Sequence, residues 1–244
     1  MSINLNNDCI KKKIRDGLKS IWWKPELVEG ALFDEMDIPF CPTFSNVVPK
    51  RIITYEEAKT IYRKSINKNP DFKEDCYVCF YIDDYKFDTF RGIWFSPKKA
   101  LRILQHFKGI ITPDFSTYLD FPYPLKLWNT YRMRAFGYWC GRKGLEVINN
   151  VRGSVDDFSY CFNGISINTI VCIGTVGSGL KHLENRENFS RWFNRLLIVL
   201  KPTTILVYGS SNYEPFKKAK ESGIDVITFE SKTSQDFKRR KNNE

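Results

Sequence analysis

From Val47 onward, short runs rich in β-branched and aromatic residues alternate with helical patterns, and this alternation constrains the fold more than any other feature of the chain. The runs that read as strands are 51–53, 77–82, 109–112, 146–150, 169–173, 204–208 and 225–229. Helix signals recur between them. Thr54 with Glu57, and Ser211 with Glu214, have the spacing of capping boxes, and Ser96 precedes a proline suited to the first helical position. Gly109, Gly144 and Gly223 each follow a helical run, where a left-handed residue stops it. Repeated βα units in about 200 residues predict an α/β domain with a mostly parallel sheet in a three-layer, doubly wound arrangement. A TIM-like barrel is the alternative, because seven strand candidates approach eight. In either case ligand-facing groups belong just past the carboxyl ends of the strands.

Three segments follow from the patterning. Residues 1–45 form an irregular extension, interrupted by Pro25, Pro39 and Pro42; its Trp22, Trp23, Phe33, Phe40 and Phe44 argue that it packs on the core. Residues 46–231 form the α/β domain, and 232–244 a basic tail. The net charge of +10 is concentrated at the ends: residues 1–24 carry six basic against two acidic residues, and 231–244 five against two. The tail, with Lys238, Arg239 and Arg240, is either a solvated end or an arm that seeks phosphate. No apolar run is long enough to cross a bilayer, and no secretory signal is seen. Seven cysteines without repeating spacing read as reduced thiols of a cytoplasmic protein.

The residues just past the strands supply the candidates for chemistry. Pro113 cannot continue a central ladder, so Asp114 is presented at the rim, where a carboxylate either caps a turn or activates water. Asp83 and Asp84 carry oxygens suited to a hard cation, but adjacent strand residues face opposite ways. The loop 174–179 follows a good strand, yet Leu180 stands where a phosphate-binding Walker loop has its lysine. Cys76 and Cys79 form an isolated C-x-x-C on a strand and read as core thiols. No metal and no cofactor are expected.

Partner recognition points to the segment 126–152. Lys126, Arg132, Arg134, Arg142, Lys143 and Arg152 stand there against a single acid, Glu146, with Trp128, Tyr131, Phe136, Tyr138 and Trp139 interleaved. At ~100° per residue Arg132 falls on the aromatic side of the helix, either snorkelling past the core or aimed into a site. Guanidinium among aromatic rings suits phosphate and stacked bases, so nucleic acid is the expected partner, DNA before RNA.

Several motifs in order also resemble a known family. They are 44–49 (FSNVVP), 80–85 (FYIDDY), 109–116 (GIITPDFS), 128–132 (WNTYR), Val151-Arg152, 161–165 (CFNGI) and 207–210 (VYGS). Together they are similar to domain-of-unknown-function family 4417, with a departure at Asn149, where a proline is expected. The resemblance implies a bacterial, phage or mobile-element protein and supplies no activity and no catalytic residues. Asp114 beside Pro113 and Phe115 is further similar to the water-activating loop of uracil-DNA-glycosylase-type enzymes, although the residue order differs and no His-Pro-Ser loop follows.

The reading from sequence is therefore a nucleic-acid-acting protein of phage conflict or mobile-element biology, of glycosylase type if it is a hydrolase. Asp114, Asp83 and Asn129 are its catalytic candidates. Arg132, Arg134, Arg142, Lys143, Arg152, Phe115, Phe162 and the tail residues Lys238, Arg239 and Arg240 are the candidates for binding. The alternatives are a non-catalytic nucleic-acid-binding or inhibitor protein, and a small-molecule enzyme.

Overall fold

The computed structural model describes residues 10–11 and 20–241. Seven strands, β3 (Ile52–Thr54), β4 (Glu74–Cys79), β5 (Phe107–Ile111), β6 (Glu146–Asn150), β7 (Ile170–Gly174), β8 (Thr204–Tyr208) and β9 (Asp225–Phe229), form one sheet in strict sequence order. Every neighbouring pair is parallel. Helices α1 (Tyr55–Ser65), α2 (Pro97–Leu104), α3 (Tyr123–Arg142), α4 (Leu183–Leu200) and α5 (Glu214–Glu221) join successive strands, except between β6 and β7. A short antiparallel ribbon, β1 (Ile10–Lys11) with β2 (Leu32–Phe33), precedes the sheet.

Strand order separates the two arrangements expected from sequence. A doubly wound sheet reverses direction once and carries helices on both faces. Here the order never reverses, so crossovers of one hand leave all the connecting helices on one side. Alternation along the strands bears this out. Cys76, Val78 and Phe80 pack with residues of α1, α2 and α3, and Val171, Ile173, Ile205 and Val207 pack with α4 and α5. The intervening Tyr77, Cys79, Tyr81, Cys172, Leu206 and Tyr208 pack only with other strand residues of the opposite face. The α/β class and parallel sheet are as expected, the helices lie in one layer rather than two, and the barrel-like alternative is partly echoed.

The sheet is curled. Tyr81 and Tyr208 lie four strands apart, roughly 19 Å in a flat sheet, yet their rings stack with centroids 5.4 Å apart. The hollow is filled by these tyrosines rather than by a ligand channel. Gly174 is needed for it, since a Cβ there would lie 2.4 Å from the Tyr81 ring. Among the described residues the edge strands β3 and β9 do not pair, so the structure is an open half-barrel.

Helix α6 (Lys232–Lys241) occupies most of the expected tail and buries none of its residues. Its first residue is tied down: the Lys232 amide donates to Tyr208 Oη (3.0 Å), and its ammonium lies 3.7 Å from Glu57 on α1. The segment before the sheet covers α3. Leu27, Val28, Ala31 and Cys41 are buried in one cluster with Met133, Phe136 and Cys140, and Trp23 Nε1 donates to Tyr131 Oη (2.6 Å). Among the described residues no helix is long and apolar enough to cross a membrane.

Local signals hold in part. Thr54 and Glu57 form a complete capping box, and Gly144 and Gly223 adopt φ of +87° and +84°. Ser211 does not cap α5; its hydroxyl meets Thr228, and Tyr213 takes the cap position without a side-chain bond. Gly109 lies inside β5, where it admits the Tyr77 ring.

Candidate functional site

The carboxyl ends of β4, β5 and β6 bring a polar cluster to the mouth of the half-barrel. Thr112 extends the β5 ladder by one bond to Ile148 (2.9 Å), and its hydroxyl accepts from the Asn150 amide (2.8 Å). Pro113 then ends the ladder. Asp114 turns back over the strand ends, where Oδ1 accepts from Asn150 Nδ2 (2.8 Å) and Oδ2 from Arg152 Nη1 (2.6 Å). Asn150 is fixed in turn by Tyr81, whose hydroxyl donates to Asn150 Oδ1 (3.0 Å). The Arg152 guanidinium, a quarter exposed, lies 5.5 Å from the centre of the Tyr118 ring.

A second carboxylate stands beside this pair. Asp84 accepts from the Ser116 amide (3.2 Å) and hydroxyl (3.0 Å). Burial raises its pKa above 3.8, and Asp114 adds to the rise, while the Ser116 bonds and Arg152 oppose it. From Ser116 a chain of contacts runs along α3. Asn129 Nδ2 donates to the Ser116 carbonyl, and Asn129 Oδ1 accepts from Arg132 Nη2 (2.6 Å). Arg132 closes the chain on Asp88 with two bonds of 2.7 and 2.9 Å, its guanidinium 3.9 Å from the Phe115 ring centre.

A family model for a domain of unknown function, DUF4417, matches residues 34–230, a span that contains every residue of this cluster. The chain belongs to the DUF4417 family. Two relatives are each 33% identical to it. "Gene 1 protein" of Mycobacterium phage L5 aligns over 131 residues, 53% of this chain and 56% of the relative. "Gene 1 protein" of Mycobacterium phage D29 aligns over 135 residues, 55% of this chain and 48% of the relative. The chain thus spans about half the length of these curated relatives, both of them phage proteins. No solved structure matches the chain.

Within this DUF4417 domain the residues expected to act divide into three groups. Asp114 and Arg152 meet at the mouth, and Asn129 and Arg132 reach it through Ser116. Asp83 does not: its exposed carboxylate turns to Lys86 (3.4 Å) while Asp84 turns inward, so the two diverge. Arg134, Phe115 and Phe162 are interior, at 0%, 0% and 2% exposure, out of reach of any nucleic acid. Phe115 packs on Phe87 and under Arg132, and Phe162 on Trp192, while Arg134 lies beneath the segment before the sheet, near Ile38 and Cys41. Arg134 spends its donors on the carbonyls of Asn163 (2.9 Å), Asn150 (3.1 Å) and Cys161 (3.2 Å).

Arg142 and Lys143 lie at the far end of α3, about 30 Å along a 20-residue helix. Arg142 pairs there with Glu29, and Lys143 borders an open recess of about 820 Å³ at the amino ends of the strands. Lys238, Arg239 and Arg240 are exposed on α6, where Lys238 meets Glu230 (2.8 Å).

Cys76 and Cys79 face opposite sides of the sheet and cannot converge on one ion. No group of three potential metal-ligating side chains is found among the described residues. The loop 174–179 is braced as a turn, with Ser178 Oγ donating to the Thr175 carbonyl (2.7 Å) and Thr175 Oγ1 to the Ser210 carbonyl (2.9 Å). Tyr81 and Asp88 were not singled out from sequence: the tyrosine reads as an ordinary strand aromatic, and Asp88 as a loop residue.

Proposed function

We propose that the mouth of the half-barrel binds single-stranded nucleic acid and hydrolyses an N-glycosidic bond of a nucleotide held there, with Asp114 aligning the attacking water. The observation that carries this reading is the Asp84–Asp114–Arg152 cluster at the carboxyl ends of parallel strands, where α/β folds place their ligands. Two carboxylates in unequal surroundings suit an acid and base division. Asp114 has an arginine on one oxygen and an amide on the other, which orients it. Asp84, whose pKa burial raises, holds a proton more readily than an exposed aspartate, and in this reading it is the acid that protonates the departing base. In that step the water oxygen bonds to C1′ of the sugar as the bond from C1′ to the base nitrogen breaks. Arg152, beside the exposed Tyr118, supplies positive charge for the flanking phosphate.

A binding-only reading is favoured by a different fact: all four oxygens of Asp84 and Asp114 already accept from protein donors, as carboxylates that clamp loops do. Release of free base from a single-stranded DNA oligonucleotide separates the two. Under the hydrolytic reading the wild type releases base, and Asp114→Asn binds the same oligonucleotide without releasing any. Binding with no release by the wild-type protein establishes the binding-only reading instead.

A further inference from the structure

Beside the mouth lies a recess of about 290 Å³ that none of this chemistry uses. Trp22, Phe90, Phe95 and Trp128 wall it, and Asp88 and Arg132 line it between them. Trp22 is 58% exposed and Phe90 74% exposed, a large apolar surface left to solvent on two side chains. The two rings adjoin, 6.5 Å apart between centroids, and contiguous exposed apolar surface is the kind that marks interaction sites.

The rings are held in place. Phe95 stands 5.7 Å from Trp22 and 5.2 Å from Phe90 between centroids, and the Trp22 carbonyl accepts from Trp94 Nε1 (2.7 Å). The recess is therefore formed before any ligand arrives, which lowers the ordering cost of binding. Its volume lies at the low end of the range for ligand sites, ~300–1,000 Å³. That is room for one flat ring system rather than a dinucleotide cofactor.

Two further observations specify the ligand. The segment 89–103, which supplies Phe90 and Phe95, carries Arg91, Lys98, Lys99 and Arg102, all exposed, and no acid. Aromatic faces with a cationic margin are the pattern that single strands use. Asp88 accepts one bond from Arg132 on each oxygen, and each oxygen keeps a second lone pair. Its side chain is 16% exposed, and the residue lines the recess. Arg132 itself is 94% buried, and its Nε is buried without an acceptor.

We infer that this recess captures one unpaired base of the nucleic acid bound at the mouth, a reading that rests on the nucleic-acid assignment above. The base stacks on Trp22, with the Phe90 ring set at 60° to that face as its edge, and Asp88 accepts one N–H of the base. Arg91 and Lys98 hold the flanking phosphates. The chain Arg132–Asn129–Ser116–Asp84 links the lining of this recess to the mouth cluster, so a captured base sets the register of the strand over Asp114.

The test is fluorescence anisotropy with an eight-nucleotide oligothymidine. Trp22→Ala and Phe90→Ala alter exposed side chains, and unchanged melting curves show that they fold. Each weakens binding about tenfold, the scale of one lost stacking contact. Wild-type affinity in both aromatic variants overturns the inference and assigns the exposed rings to a protein partner.

The outcomes also separate the two proposals. Weakened binding in the aromatic variants, without base release by the wild type, leaves the capture site standing and removes the hydrolytic chemistry. Base release that survives in Trp22→Ala and Phe90→Ala at unchanged affinity does the reverse.

Discussion

Replacing Arg134 by methionine keeps most of the side-chain volume and removes three charge-assisted hydrogen bonds to backbone carbonyls. Such bonds contribute about 1.5–3 kcal/mol each, so the gross loss is roughly 5–9 kcal/mol. Against it stands the cost of keeping a cation in the interior, several kcal/mol per ion. That cost is visible in the guanidinium itself, whose pKa burial lowers from 12.5 to about 10. The net expectation is a destabilisation of about 3–4 kcal/mol by urea denaturation, or a fall in Tm on the order of 10 °C. Affinity for nucleic acid per folded molecule stays unchanged, because Arg134 has no surface to offer. A loss below about 1 kcal/mol refutes the reasoning. So does a stable variant that no longer binds.

Three other expectations follow from the same contacts. Arg132→Ala leaves Asp88 without its cation in a largely buried pair and lowers stability by about 3–5 kcal/mol in the same assay; a change under about 1 kcal/mol contradicts this. Truncation after Lys232 removes the rest of α6, which buries nothing, and shifts Tm by only a few degrees, whereas a shift of ten degrees or more shows that the helix is packed. For Asp84 the folded pKa is raised, so the folded state binds its proton more tightly than the unfolded chain. Its contribution to stability is greatest below pH 3.8 and declines as pH rises through the folded value. Asp84→Asn lacks that decline. Its urea midpoint relative to wild type should rise from pH 4 upward and then level off, and a difference that stays constant with pH from 4 to 7 rules the account out.

Much of the fold was legible because the strands are dense in β-branched residues: 146–150, 204–208 and 225–229 are read from sequence with the bounds observed. Strand order was not legible, since the same βα units build a doubly wound sheet or a half-barrel. The difference lies in which face the inward residues meet. Tyr77, Tyr81 and Tyr208 fill a curled interior instead of packing under a second layer of helices, and nothing in their local sequence distinguishes those fates. The strand-end rule located Asp114 and Arg152, because Pro113 breaks the ladder by its own chemistry. It did not separate Arg132 from Arg134. Helix α3 buries residues on all sides, covered on one by the sheet and on another by the segment around Leu27 and Val28, a contact between positions more than 100 residues apart. Asp83 and Asp84 were likewise indistinguishable until Ser116 was seen to take one of them.

The central claim, that nucleic acid lies across the mouth of the half-barrel, is tested most directly by the salt dependence of single-stranded DNA binding in wild type and Arg152→Ala. Log K falls linearly with log salt concentration, with a slope set by the number of phosphates engaged. If Arg152 contacts a phosphate at the mouth, the variant binds every sequence more weakly by a similar factor, and its slope is smaller by about one. An identical slope and affinity in the two proteins, each folded and binding, contradicts the placement of nucleic acid at this site.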